Sequence, residues 1–163
     1  MILQLTGTLL SIDTNHLAVL DVNGIGYGVY TTLWQAPQAN TTWTCFTHMI
    51  YREDSQTIYG FATPEERDIF RNIIKTNGIG PKVALNLLNQ IQYRDLMIII
   101  RDKQLHALEK AKGIGKKGAQ KIMLEMQRYV EQWTHLNLSS SINDTILLNA
   151  SGRSGNRVAI GTR

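Results

Sequence analysis

The sequence predicts an α+β protein in which a small five-stranded β-barrel is followed by an α-helical domain. The first observation is the period of the apolar residues, which is close to two before Thr63, as in strands, and close to 3.6 after it, as in helices. The second observation is charge. Residues 1–62 carry one basic and four acidic residues, whereas residues 63–163 carry sixteen basic and nine acidic residues. This excess predicts that the second half binds a polyanion, although a solvated basic surface would give the same pattern.

Five strands are predicted from short runs rich in Leu, Ile, Val and Thr. They are Ile2–Ile12, His16–Val22, Ile25–Thr32, Thr41–Tyr51 and Ser55–Phe61. Asn23-Gly24, between the second and third runs, is typical of a type I′ hairpin turn, because both central residues of that turn have positive φ. Five short strands in so few residues predict a Greek-key barrel of the OB-fold type.

A helix start is predicted at Thr63, which can cap the helix, with Pro64 at the first helical position and Glu66 completing a capping box. Later helices are expected at Pro81–Gln90, Tyr93–Arg101, Leu105–Lys110 and Lys116–Trp133. All are short and are joined by polar or glycine-containing turns, so they predict a compact helical domain.

The polar composition after about Leu138 predicts a short tail that is mostly disordered, in which only Ile142–Leu148 is apolar enough to pack. The predicted division of the chain is therefore a barrel at residues 1–63, a helical domain at residues 64–137 and the tail at residues 138–163.

Composition excludes several classes of protein. No apolar run reaches the length of about 18 residues that a membrane span requires, and the N-terminus lacks the segments of a signal peptide. A single cysteine, Cys45, cannot form an internal disulfide or a cysteine-built metal site, so a cytoplasmic location is expected. The four histidines have neither metal-ligand spacing nor a nucleophile partner. The sequence therefore predicts no metal, no cofactor and no catalytic site.

The tripeptide Gly-Ile-Gly occurs twice in one setting, at Gly78–Gly80 and Gly113–Gly115, each time between two helices and with lysines at the entry to the second. A third copy, at Gly24–Gly26, lies in a strand hairpin and is expected to serve the turn. Glycine has no Cβ, so such a hairpin can turn sharply and its backbone can approach a phosphate closely. The free N–H groups and the dipole at the start of the second helix favour an anion there.

Two such units predict a pair of helix-hairpin-helix motifs that bind the DNA backbone and therefore do not read base sequence. Each unit is expected to hold one strand across a minor groove. The predicted phosphate-binding residues are Asn77, Gly78, Ile79, Gly80 and Lys82 in the first unit, and Lys112, Gly113, Ile114, Gly115, Lys116 and Lys117 in the second.

Other interpretations of these residues remain open. Residues 113–118 match the Gly-x-Gly-x-x-Gly fingerprint of dinucleotide-binding proteins, but the apolar strand that must precede it is absent from the sequence. Glycines that only end helices are the stronger alternative. Gly118 is expected to weaken the second unit slightly, since glycine costs up to about 1 kcal/mol against alanine in a helix. Glu53-Asp54, between the last two strands, is by itself typical of a solvated turn.

The most specific segments of the chain resemble the RuvA family. They are Thr47–Gln56 with Tyr59–Phe61, Lys75–Lys82 and Gly113–Lys117, and the resemblance covers about residues 1–135. It implies a homotetramer assembled through the OB-fold domain, with one or two tetramers on each four-way (Holliday) DNA junction. It also implies that Glu53 and Asp54 form an acidic pin at the crossover, where repulsion of phosphates holds the junction open while the basic helical domains hold the arms.

The resemblance implies two protein partners, a RuvB-type hexameric ATPase that drives branch migration and a RuvC-type resolvase, in DNA recombination and repair. Family members dock the ATPase through a third, C-terminal helical domain. That domain is predicted to be missing here, because too few residues follow Leu138 to form a separate core. The sequence therefore predicts junction binding but does not predict docking of the ATPase.

The predicted function is structure-specific binding of four-way junctions by a protein without an active site. A general duplex-DNA clamp is the first alternative. A glycosylase or nuclease would need a catalytic Asp or Lys beside a hairpin, or clustered carboxylates that bind a metal. Asp95 and Asp102 lie between the hairpins without a supporting pattern. A single-strand binder could stack bases on Tyr30, Trp34 and Trp43, but the acidic barrel argues against it.

Overall fold

The computed structural model describes the backbone of residues 1–151 and the side chains as far as Thr134. Its strands are β1 (Gln4–Ile12), β2 (Leu17–Val22), β3 (Ile25–Thr31), β4 (Thr42–Tyr51) and β5 (Gln56–Phe61). Its helices are α1 (Pro64–Ile73), α2 (Pro81–Gln90), α3 (Tyr93–Arg101), α4 (Leu105–Glu109) and α5 (Gly115–Ser151). The predicted α+β fold, with the barrel first and the helices after it, is confirmed.

The five strands form a closed barrel in the order β1-β2-β3-β5-β4. All neighbouring strands are antiparallel except β3 and β5, which run parallel. The β2–β3 turn has φ of 53° at Asn23 and 85° at Gly24, as the type I′ prediction requires. Inward-facing residues fill the barrel; Leu9, Ala18, Leu20, Val29, Trp43 and Cys45 are all buried.

The helices share an aromatic core with one side of the barrel. The ring of Phe70 in α1 lies 4.9 Å from that of Phe61 and 5.0 Å from that of Tyr59, both in β5. Tyr59 in turn lies 5.8 Å from Tyr30 in β3. Because Phe61 and Phe70 are fully buried, the core of the helices is continuous with β5, and this contact holds the two parts of the chain together.

Helix α1 begins as predicted, since the Thr63 hydroxyl accepts a hydrogen bond from the Glu66 N–H at 3.2 Å. A capping box also predicts a hydrogen bond from the Thr63 N–H to the Glu66 carboxylate. This prediction is wrong, because the carboxylate turns towards the barrel instead. It accepts a hydrogen bond from the Thr32 hydroxyl at 2.8 Å and another from the Ala62 backbone. Glu66 and Thr32 are both buried. Helical spacing could not reveal this bond, because Thr32 precedes Glu66 by 34 residues.

Burial raises the pKa of the Glu66 carboxyl above its ordinary value near 4.5. The folded chain therefore binds this proton more tightly than the unfolded chain does. The resulting stabilisation is complete below the ordinary pKa and is lost as the pH rises through the raised one. We expect the free energy of unfolding of the wild-type chain, minus that of Glu66→Gln, to fall as the pH is raised from about 4.5 towards neutrality. Urea unfolding at a series of pH values measures this difference, and a difference that stays constant with pH would contradict the assignment.

Helix α5 is longer than the sequence predicts. It continues to Ser151, past the expected end at Trp133 and into the segment predicted as a disordered tail. No glycine or proline occurs between Gly118 and Gly152, so nothing in this stretch interrupts the backbone hydrogen bonds of a helix. Residues 152–163 of the predicted tail lie outside the described residues.

Candidate nucleic-acid interface

The first hairpin connects α1 to α2. Gly78 has φ +86°, a left-handed conformation that glycine adopts without strain, and nothing lies within 4 Å of the place of its missing Cβ except the Lys121 ammonium at 4.0 Å. The buried Ile79 anchors the hairpin in the core and donates its N–H to the Thr76 carbonyl at 3.0 Å. Gly80 then caps α2 in an extended conformation.

The N-terminus of α2 presents unpaired donors. Pro81 has no N–H, and the N–H groups of Lys82 and Val83 have no acceptor among the described residues. The ammonium group of Lys82 is exposed and forms no ion pair within that part of the chain. Two free amides, the positive end of a helix dipole and one unpaired cation together suit a phosphate oxygen.

The second hairpin connects α4 to α5 and repeats this arrangement. Gly113 has φ +91°, Ile114 is buried, and the Ile114 N–H donates to the Ala111 carbonyl at 3.3 Å. Lys116 and Lys117, in the first turn of α5, are exposed and form no ion pair among the described residues. Both units contain, in the same order, a buried isoleucine and then a helix N-terminus with exposed lysines. The glycines therefore do more than end the two preceding helices.

The two hairpins differ at their last glycine, and the isoleucines of both lie close to Gly118. Gly80 is extended, whereas Gly115 has φ +66°. A Cβ on Gly118 would lie 3.4 Å from Ile114 and 3.5 Å from Ile79, so Gly118 occupies the place where the two units meet. The two hairpins therefore form one surface that carries the N-termini of α2 and α5.

Gly118 leaves room for a methyl group, because both neighbouring contacts are at ordinary van der Waals distance. We expect Gly118→Ala to stabilise the protein by about 0.5–1 kcal/mol through helix propensity, which raises Tm by about 2–4 °C. Gly115→Ala is the matched control and should destabilise by about 1–2 kcal/mol, since alanine is strained at positive φ. Thermal melts of both variants measure the shifts; a lower Tm for Gly118→Ala would mean that the two hairpins cannot accommodate the methyl group.

One cation of this surface was not predicted from the sequence. The Lys121 ammonium donates to the Asn77 carbonyl at 3.5 Å and thus lies beside the first hairpin, although Lys121 belongs to the helix of the second. A signal was present, because Lys121 follows Lys117 by four residues and so lies on the same face of α5. With Lys82, Lys112, Lys116 and Lys117, it adds a fifth lysine to the surface.

The predicted acidic residues lie at the tip of the β4–β5 hairpin. Glu53 and Asp54 form the turn between Arg52, whose N–H donates to the Ser55 carbonyl at 2.8 Å, and Ser55 itself. Both carboxylates are exposed and neither forms an ion pair or hydrogen bond within the described residues. The turn therefore projects two uncompensated negative charges into solvent.

The acidic turn and the first hairpin adjoin one cleft of about 480 Å³. Arg52 and Ser55, at the base of the turn, line one side of it, and Gly80, Pro81 and Lys82 line the other. The charged residues that line this cleft are two cations, Arg52 and Lys82. The fold thus brings the base of the acidic turn to the first hairpin, although some 30 residues separate them in the sequence.

The structure gives little support to the alternative functions, a single-strand binder and a glycosylase or nuclease. Of the aromatic residues that a single-strand binder could use, Trp43 is 6% exposed and belongs to the barrel core, so it cannot stack on a base, whereas Trp34 is exposed. The Arg101 guanidinium pairs with Asp102 at 2.8 Å and lowers the pKa of that carboxyl, which is the reverse of what a general base requires. Within the described residues, no three His, Cys, Asp or Glu side chains are grouped to hold a metal ion. Across residues 1–151, every helix is too short or too polar to span a lipid bilayer.

Two family models match the chain. The RuvA N terminal domain matches residues 1–60, which form the barrel. The SAM-like helix-hairpin-helix tandem matches residues 70–128, which include both Gly-Ile-Gly hairpins. The predicted helix-hairpin-helix pair is therefore confirmed as a motif, while the contacts of its individual residues with DNA stay predictions.

Curated relatives match over most of the chain. A protein of Pseudomonas fluorescens strain Pf-5 is 41% identical over 136 residues, which cover 82% of this chain and 67% of the relative. Proteins of Pseudomonas putida and Pseudomonas aeruginosa strain PAO1 are each 38% identical, over 82% and 83% of this chain and 66% and 69% of the relatives. All three are named Holliday junction branch migration complex subunit RuvA.

Proposed function

This chain belongs to the RuvA family, and we propose that it binds four-way DNA junctions as a homotetramer and holds them open for branch migration. The observation that carries the proposal is one cleft that has the base of the acidic turn on one side and the first hairpin on the other. In a four-fold assembly, the turns would meet at the crossover and the hairpins would hold the arms.

The barrel, residues 1–63, would mediate assembly and carry the acidic pin, Glu53 and Asp54. Exposed apolar side chains on the barrel support an assembly role; they are Leu3, Leu10 and Ile25. Residues 64–137 would bind the arms through the two hairpins and their lysines. Attraction at the arms and repulsion at the centre would together favour a junction over a linear duplex.

We propose that the chain itself is non-catalytic and acts in the cytoplasm, with a RuvB-type hexameric ATPase supplying the energy for migration and a RuvC-type resolvase cutting the product. The relatives are named as a subunit of a branch migration complex, which supports partners of this kind. Docking of the ATPase by this chain is part of the proposal, and a direct binding measurement between the two proteins tests it.

A competition gel shift tests the proposed function. A labelled four-way junction is bound at near-physiological salt and challenged with excess linear duplex of the same arm sequences. We expect the duplex to compete poorly. If duplex competes equally per arm, the chain is a general clamp of duplex DNA, which is the second candidate function because hairpins of this kind recognise only phosphates.

A further inference from the structure

The last turn of α2 contacts the barrel through two consecutive residues. The Leu88 carbonyl, one of the α2 carbonyls left without a partner in the helix, accepts a hydrogen bond from the Trp34 indole N–H at 2.6 Å. The Asn89 side-chain oxygen accepts a hydrogen bond from the Leu33 N–H at 3.0 Å. Both donors lie in the segment between β3 and β4, so the barrel holds α2 by its C-terminal end.

The next residue of the same turn contacts the second hairpin. The Gln90 side-chain N–H donates to the Lys112 carbonyl at 3.1 Å, and the Gln90 side-chain oxygen accepts from the Lys112 N–H at 2.7 Å. One side-chain amide thus satisfies both backbone groups of the residue that precedes Gly113. A paired contact of this kind sets position and orientation together.

The first hairpin lies at the other end of the same helix. Helix α2 has ten residues and is therefore about 15 Å long, from Gly80 at its cap to Gln90 at its end. It connects the first phosphate site, the barrel that carries the acidic turn, and the second phosphate site. Leu88, Asn89 and Gln90 form the hydrogen bonds that join α2 to the barrel and to the second hairpin.

We infer that the last turn of α2 is a positioning element that sets the spacing between the two hairpins and the acidic turn, with Gln90 and Trp34 as positioning residues for junction selectivity. The inference rests on the proposed function. A duplex can satisfy either hairpin separately, whereas a junction must satisfy both hairpins and avoid the acidic turn at one fixed geometry. Loss of preorganisation therefore lowers junction affinity more than duplex affinity.

The direct test is Gln90→Leu, which keeps the size of the side chain and removes both hydrogen bonds to Lys112, together with the one that the Gln90 side chain donates to the Asn86 carbonyl. Gln92→Leu is the control, because Gln92 is also exposed and its side chain forms no hydrogen bond within the described residues. We expect Gln90→Leu to lower the junction-to-duplex affinity ratio by about 3- to 10-fold, the effect of losing one or two hydrogen bonds. The Lys112 amide should exchange faster with solvent and Tm should fall by a few degrees at most, while the Gln92→Leu protein stays close to wild type.

Trp34→Phe tests the contact with the barrel, because it keeps an aromatic ring and removes the indole N–H. Trp43→Phe separates positioning from simple loss of stability, since the Trp43 N–H has no hydrogen-bond partner in the described structure and the change only leaves a gap in the barrel core. We expect the affinity ratio to fall in Trp34→Phe and to hold in Trp43→Phe, whichever protein melts lower. Equal ratios in the two variants would overturn the role of Trp34.

The failures of the inference and of the proposed function are distinguishable. A wild-type chain that shows no junction preference overturns the proposed function. Amide exchange at Lys112 needs no DNA, so unchanged exchange in Gln90→Leu overturns the inference in either case. A wild-type affinity ratio in Gln90→Leu, despite faster exchange, overturns the link between the last turn of α2 and selectivity.

Discussion

The double variant Glu53→Gln with Asp54→Asn should lose most of the preference for a four-way junction over linear duplex, by about tenfold or more, because like charges brought together cost several kcal/mol. Both side chains are exposed at the tip of the β4–β5 hairpin, and no cation among the described residues neutralises them. In a tetramer they would bring eight carboxylates to the crossover. Their removal should raise the affinity for duplex and leave the strands at the crossover less separated.

Gel-shift competition between junction and duplex measures the preference, and a branch-migration assay with a RuvB-type ATPase, the proposed partner, measures migration. The control is Glu125→Gln with Glu131→Gln, which removes the same charge from exposed positions on α5. If the turn variant keeps the wild-type preference and rate, Glu53 and Asp54 form an ordinary solvated turn and the pin assignment is wrong. The amide substitutions preserve shape, and the residues are exposed, so we expect no loss of folding.

The second large effect is expected from Lys116→Ala with Lys117→Ala, which removes both cations from the start of α5. Each neutralised phosphate releases counterions. The magnitude of the slope of log affinity against log salt concentration should therefore fall by about 1.8 for each protomer whose second hairpin binds DNA. Junction affinity at near-physiological salt should drop by at least about tenfold, because both contacts are charge-assisted. The affinity for duplex should drop as well, since phosphates are common to both ligands.

Salt titration of binding by fluorescence anisotropy measures this slope. Lys103→Ala with Arg128→Ala removes the same charge from exposed positions away from the hairpin tips and serves as the control. An equal change of slope in both double variants would show that net charge, and not the second hairpin, determines binding. The two double variants should differ in which property they change. The turn variant should change selectivity with little loss of affinity, whereas the lysine variant should lower affinity with little gain of selectivity.

Much of the fold follows from local sequence. The alternation of apolar residues predicts all five strands to within a few residues, and helices α2 and α3 begin and end where their periodicity predicts. The left-handed conformations at Gly78 and Gly113 follow from the Gly-Ile-Gly pattern and its place between helices. The end of α5 was missed, because polar composition is weaker evidence against a helix than a glycine or proline would be.

The sequence by itself determined the element types, the two open helix starts and the charges around them, because these depend on residues within a few positions of one another. Only the tertiary structure decided which distant residues meet. Glu66 leaves its capping box for Thr32, Lys121 lies beside Asn77, and Gln90 holds Lys112 across 22 residues. These contacts depend on how the barrel and helices pack, and packing is set by the whole core rather than by any local pattern. The spacing between acidic turn and hairpins, on which selection of a junction would depend, belongs to this second group.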